Sequence, residues 1–199
     1  MDLPAFDVLN GIVMMCWLVF VFYWAISAIG VKRKASGEKG TLRWLLARCL
    51  LIAFLIVLIR WIRLRALHRP RHEVHSLPFF PIHAMRIVGA VMTVVGLALA
   101  IWARRHLGRN WSSRPTIQVG HELVMSGPYQ LARHPIYASV LIMWFGAGLV
   151  NILFFPIFVL IALLVFSRIP KEEAHMMELF PNQYPAYRAR TKALIPGIW

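Results

Sequence analysis

The chain has 199 residues, of which 59% are hydrophobic and only 15% charged, and its mean hydropathy is +0.64. That balance excludes an ordinary soluble domain. The formal net charge of +14 comes without any nucleic-acid-binding motif, so it reads as attraction to anionic lipid headgroups, worth about 1 kcal/mol per basic residue at a membrane surface.

A hydrocarbon core takes about 20 residues of helix to cross. Apolar blocks that approach or exceed this length fall at Val8–Val31, Trp44–Leu64, Ile82–Ala103, Ile136–Val150 and Ile152–Phe166. The last two are short, and Asn151 between them with Pro156 just beyond predicts a tight helical hairpin. The first block is preceded by Asp2 and Asp7 and by no basic residue, unlike a cleaved secretory leader. Lys32-Arg33-Lys34 follows it instead, which places the N-terminus outside and this cluster in the cytoplasm. Five crossings then put the third loop and the C-terminal tail inside as well. The second loop dissents, with Arg60, Arg63, Arg65, Arg69, Arg71 and Arg86 on or beside an outside segment. Arg60 and Arg63 can snorkel from the end of the second span, or an interfacial helix can lie there.

The expected fold is therefore all-α, a polytopic membrane protein with about five transmembrane helices. No polar stretch could bury a core by itself, so 1–199 reads as one membrane domain, with N-terminal spans over 1–107 and the chemistry in 108–199. Cys16 and Cys49 each sit inside an apolar span and fit packing better than a disulfide or zinc. His68, His72, His75 and His83 gather near the second loop without HExxH or a carboxylate ligand, so a polar loop is the simpler reading and no metal is expected. No GxGxxG follows a strand, which removes a Rossmann-type nucleotide site.

Ionisable groups beside a bilayer cost several kcal/mol unless paired or hydrated. Two stretches keep them: His121–Tyr137 and Arg168–Glu173. The third loop is dense in turn formers, Gly108-Arg109-Asn110, Gly120 and Ser126-Gly127-Pro128. His134-Pro135 then opens the fourth span, because proline suits the first helical position. The free N–H groups and positive dipole end there suit an anion. Arg133 and Tyr137 alone fit interfacial anchors, but His134 and Tyr129 gather at the same helix start. Arg168 and Glu172 share a helix face at i, i+4. They are either a surface ion pair worth a few tenths of a kcal/mol, or a pair divided between two ligands. In the second reading Arg168 takes a carboxylate and Glu172 accepts from hydroxyl or amino groups. An antiparallel hairpin brings His134 and Tyr137 near both. Beyond the fifth span, Lys171–Phe180 reads as an amphipathic helix. Pro181, Tyr184, Pro185 and Tyr187 follow, and a surface-lying C-terminal segment that returns to cover the site is expected.

The elements Gly108-Arg109-Asn110-Trp111-Ser112, His121-Glu122-Leu123-Val124, Gly127-Pro128-Tyr129, Arg133-His134-Pro135-Ile136-Tyr137, Glu172-Glu173, Phe180, Tyr184, Tyr187 and Ile195-Pro196 resemble the isoprenylcysteine carboxyl methyltransferase family. These are integral-membrane methyltransferases related to the phospholipid methyltransferases. The resemblance runs from about Gly108 to Pro196. It implies S-adenosylmethionine as methyl donor, bound without a Rossmann fold. Carried residue by residue, it implies donor contacts from Gln118, His121, Glu122, Leu123, Val124, Tyr129, His134, Pro135, Ile136, Tyr137 and Glu172. Arg168 would hold the acceptor, in the family a prenylcysteine carboxylate. Two departures stand out: Pro181, where the family usually has Gly after Phe, and Ala138-Ser139 near a family glycine.

The expected function is S-adenosylmethionine-dependent methyl transfer to a lipophilic small-molecule or lipidated acceptor, most simply carboxyl methylation of an isoprenylcysteine-like substrate. The site would face the cytoplasm, from the inner membrane of a bacterial cell or the endoplasmic reticulum of a eukaryotic one. Rival readings are a phospholipid amine or thiol methyltransferase, a sterol-reductase-like NADPH enzyme, and a non-catalytic scaffold or transporter. The reductases tend to have Asn before the motif tyrosine, so His134-Pro135-Ile136-Tyr137 disfavours them. A scaffold would leave Arg168 and Glu172 without coupled ligand effects. The sequence leaves the acceptor and the oligomeric state open.

Overall fold

A computed structural model describes residues 8–29, 82–108 and 123–197, and these fall in one compact unit. The expected second span, the basic second loop and residues 109–122, with Gln118, His121 and Glu122, lie outside the described residues.

The described chain is all-α. Its helices are α1 (Val8–Ile29), α2 (Ile82–Leu107), α3 (Pro135–Val150), α4 (Phe155–Leu179) and α5 (Tyr184–Arg190), with single 3-10 turns at Gly127–Gln130 and Ile152–Phe154. Among the described residues three segments are long and apolar enough to cross a membrane: Val8–Ser27, His83–Leu107 and Ile152–Leu179. Helix α3 has 16 residues and rises about 24 Å, short of a ~30 Å hydrocarbon core.

Helices α2 and α3 meet along a seam of small residues. Lipid tails are as apolar as leucine, so close packing rather than exclusion from water must hold such helices together. Gly89, Thr93, Gly96, Ala100 and Ala103 recur on α2 at steps of three and four, which places them on one face, and all are buried. Ser139, Met143 and Gly146 are buried on α3 and meet this face. A Cβ at Gly89 would stand 2.5 Å from the Gly146 carbonyl oxygen, and a Cβ at Gly146 would stand 2.5 Å from that of Gly89. The Thr93 hydroxyl, wholly buried, donates back to the Gly89 carbonyl at 2.9 Å.

Two arginines cap helix ends. Arg104 donates to the carbonyl oxygens of Ser27 at 2.7 Å and Gly108 at 2.8 Å, where α1 and α2 finish and carbonyls gather. Arg86 donates through Nε to the Val150 carbonyl at 3.2 Å, at the negative end of α3. One of the basic residues that dissent from the charge bias thus has a local task.

The α3–α4 hairpin forms as the sequence predicts. Asn151 turns to an extended conformation, ending α3, and its side chain accepts from the Leu153 N–H at 3.1 Å.

The amphipathic stretch after the span is helical as expected, but it continues the span and is not an element of its own. Helix α4 continues from the apolar span through Pro170 to Leu179 as one 25-residue element. The reasons are propensity and length. Lys171–Leu179 consists largely of good helix formers, and Pro170 costs one backbone bond without ending the helix. At about 37 Å, α4 exceeds a ~30 Å core, which gives its charged turns room to clear it.

The returning segment does form. The Arg133 and His134 N–H groups donate to the carbonyls of Lys192 at 2.8 Å and Ala193 at 2.9 Å, beside an isolated parallel bridge of Ala132 with Lys192. Ala193 and Leu194 are buried with Val165 and Ile169, against Tyr137, Ala138, Leu141 and Ile161. The chain after α4 is a strap across the start of α3.

Candidate functional site

Gly127 opens the approach to α3 at φ 59°, a conformation that glycine adopts without steric cost. A Cβ there would collide with the His106 ring, so the turn sits directly on the end of α2. Tyr129 follows, buried, and its carbonyl accepts the Tyr187 hydroxyl of α5 at 2.6 Å. Burial pushes the phenols of Tyr129 and Tyr187 well above their ordinary range. It pushes Tyr184 up to about 12, with the neighbouring Glu173 carboxylate adding to the shift and Arg133 and Arg188 opposing it.

His134 is the N-cap of α3 and Pro135 its first helical residue. The Ala138 N–H closes the first turn on the His134 carbonyl at 3.1 Å. Pro135 has no N–H, so Ile136 and Tyr137 carry the first-turn donors that have no intrahelical acceptor.

Opposite this helix start stand two successive carboxylates of α4. Glu172 Oε1 accepts from the Tyr137 hydroxyl and from Arg168 Nε, each at 2.6 Å. Its Oε2 lies 3.8 Å from His134 Nδ1. The Glu173 side chain points elsewhere: Oε1 accepts from Arg133 Nε at 2.7 Å and lies 3.5 Å from His134 Nε2, while Oε2 is 3.1 Å from Arg188 Nε. Arg133 also donates through one terminal nitrogen to the carbonyls of Arg188, at 3.1 Å, and Thr191. The His134 ring stacks on Tyr137 with centroids 5.6 Å apart and planes 14° from parallel, between the two acids.

The carboxylates differ in access. The Glu172 side chain is 23% exposed and that of Glu173 only 7%. Glu173 is enclosed by cationic and imidazole partners, whereas among the described residues the second oxygen of Glu172 has only His134 Nδ1, 3.8 Å away, as a neighbour. Arg168, 41% exposed, pairs with Glu172 inside the cluster, so the pair is not an isolated surface contact.

The structure therefore gathers His134, Pro135, Tyr137, Arg168 and Glu172. Ile136 is half-buried in the same first turn of α3, and Tyr129 underlies the strap. Leu123 and Val124 are half-buried in the chain that enters the Gly127 turn. The site expected from sequence does not include Glu173, Arg133 or Arg188. The adjacent acids were a signal, since neighbouring helix positions point about 100° apart. Arg188 gave none, because its partner is set by the fold of the strap. No cluster of potential metal ligands occurs among the described residues.

A model of the isoprenylcysteine carboxyl methyltransferase (ICMT) family matches residues 89–178, which run from the α2–α3 seam to just beyond Glu172-Glu173. This stretch is similar to the isoprenylcysteine carboxyl methyltransferase family. Over 116 residues the chain is 33% identical to a probable protein-S-isoprenylcysteine O-methyltransferase of Oryza sativa subsp. indica, covering 56% of this chain and 61% of that protein. It is 32% identical over 115 residues to protein-S-isoprenylcysteine O-methyltransferase B of Arabidopsis thaliana, covering 55% and 58%. It is 29% identical over 119 residues to the protein-S-isoprenylcysteine O-methyltransferase of Saccharomyces cerevisiae, covering 56% and 49%. The matches thus span between 49% and 61% of these relatives' length. The ICMT match ends before α5 and the strap.

Proposed function

We propose that the chain is an S-adenosylmethionine-dependent methyltransferase that methylates the carboxylate of an isoprenylcysteine-like lipophilic acceptor. The observation that carries this reading is Glu172, an accessible carboxylate held by Tyr137 and Arg168 beside the start of α3, within the stretch similar to the ICMT family.

The residues fit the donor. Glu172 Oε2 can accept from an ammonium or a ribose hydroxyl, and the Ile136 and Tyr137 N–H groups at the positive end of α3 suit a carboxylate. The stacked His134 and Tyr137 rings offer faces to a cationic centre. When bound, the donor supplies an electrophilic methyl on a sulfonium.

The protein's task is alignment. Arg168 holds the acceptor carboxylate, and its pairing with Glu172 tempers the positive charge so the attacking oxygen keeps its electron density. One C–O bond forms, one C–S bond breaks, and the bonding pair leaves on sulfur. No proton moves, so no general base is required, and holding both partners in line at near-attack distance supplies most of the rate. An amine acceptor would instead release a proton and gain nothing from Arg168; the arrangement favours a carboxylate.

The cytoplasmic orientation rests on Lys32-Arg33-Lys34 after α1 and on Arg104 and Arg105 at the end of α2. The acceptor would enter from the bilayer and the donor from water.

The test is a transfer assay with labelled donor against lipophilic carboxylates, amines and thiols. Label should enter prenylcysteine carboxylates as a base-labile ester. Label confined to amines, stable to base, would overturn the carboxylate assignment.

A further inference from the structure

Arg188 lies beyond the matched family stretch, and the methyl transfer described above does not use it. Its position is nevertheless tied from several directions. Nε is 3.1 Å from Glu173 Oε2. Its carbonyl accepts from Arg133 at 3.1 Å. One residue earlier, the Tyr187 hydroxyl reaches the Tyr129 carbonyl at 2.6 Å. A few residues later, Lys192 and Ala193 accept from the Arg133 and His134 N–H groups.

We propose that Arg188 is a positioning residue: by pairing with Glu173 it latches the 184–194 strap to the start of α3 and so fixes the register of His134. This rests on the methyltransferase reading. Glu173, a carboxylate 7% exposed, needs charged partners to stay ionised, and it takes them from both sides, Arg133 beside His134 and Arg188 on the strap. The His134 N–H is bonded to the strap at Ala193. A slip of the strap therefore shifts the N-cap, whose ring lies between Glu172 and Glu173. Misplacement by an ångström is enough to cost a well-aligned site much of its rate or affinity.

The Arg188 side chain is 51% exposed, and Glu173 keeps Arg133 and His134 without it, so Arg188→Ala should fold. The full chain in lipid nanodiscs is compared with Arg188→Ala, Arg188→Lys and, as a control, Arg190→Ala, whose Nε donates to the Ala186 carbonyl at 3.3 Å. Two readouts are taken. Hydrogen–deuterium exchange over 131–138 reports the strap bonds without any ligand, and calorimetric Kd with steady-state kcat reports donor positioning. For Arg188→Ala the account expects faster exchange, a donor Kd raised about tenfold and kcat at saturating donor within about twofold. Arg188→Lys should recover most of the affinity, and Arg190→Ala should match the parent.

Unchanged exchange in Arg188→Ala would overturn the latch. Faster exchange with unchanged donor Kd would overturn the positioning role. Failure of the parent protein to bind S-adenosylmethionine would overturn the methyltransferase reading, and with it the donor role of Arg188, while the exchange readout still decides whether the latch exists.

Discussion

The Tyr137 hydroxyl donates to Glu172 Oε1 at 2.6 Å, joining residues thirty-five positions apart. The bond links the first turn of α3 to the charged end of α4, and the same oxygen also takes Arg168. One carboxylate thereby orders a residue assigned to the donor and another assigned to the acceptor.

Tyr137→Phe removes that bond and keeps the ring. Loss of a hydrogen bond to a charged group costs about 1.5–3 kcal/mol, so kcat/KM should fall about ten- to hundredfold, while helical content stays the same. Steady-state kinetics with circular dichroism checks both. Unaltered kcat/KM would show that Glu172 is held well enough without the phenol.

Arg168→Ala should separate the two ligands. We expect acceptor kcat/KM to fall by about a hundredfold or more, the scale of a lost charged contact, with donor affinity changed less than about threefold. Arg168→Lys should restore part of the turnover, since it keeps the charge but loses the planar guanidinium. Equal losses in donor binding and acceptor turnover would contradict the acceptor role.

Gly146→Ala tests the α2–α3 seam. The new Cβ would meet the Gly89 carbonyl at 2.5 Å and the Thr93 hydroxyl at 2.8 Å. Neither partner is the end of a long flexible side chain, so the helices must separate. Overpacking of this kind costs about 1–3 kcal/mol, and the thermal midpoint in detergent should drop by several degrees. A midpoint equal to that of the parent would mean the seam is looser than described.

Alkaline pH should loosen the strap. The folded pKa values of Tyr129, Tyr184 and Tyr187 are raised above the ordinary phenol value, that of Tyr184 to about 12. The unfolded chain therefore releases these protons first. Their stabilising contribution is intact below pH 10 and for Tyr184 is lost as pH rises through about 12. Phenolate absorbance followed against pH should show Tyr129, Tyr184 and Tyr187 titrating late; their titration near pH 10 would contradict their burial.

Much of this was legible in the chain because it depends on local chemistry. His134-Pro135 announced a helix start, Asn151 a hairpin tip, and the i, i+4 spacing of Arg168 and Glu172 a shared face. Antiparallel topology then placed Tyr137 near Glu172. Features decided by longer-range contacts were less legible. The small-residue seam needed Gly89 and Gly146 to be matched across two helices. The continuation of α4 through Pro170 turned on whether one lost backbone bond outweighs the propensity of Lys171–Leu179. Glu173 and Arg188 meet only because the strap folds back to Arg133, a tertiary result that no local pattern encodes.

The central claim is that His134 and Glu172 belong to a donor site, and calorimetry tests it most directly. S-adenosylmethionine is titrated into the parent protein, His134→Ala and Glu172→Ala, with folding of each checked by circular dichroism. The account predicts saturable one-to-one binding to the parent and a loss of about tenfold or more in each folded variant, as expected when a polar contact to a bound ligand is removed. No binding by the parent, or equal affinity in all three, would contradict it.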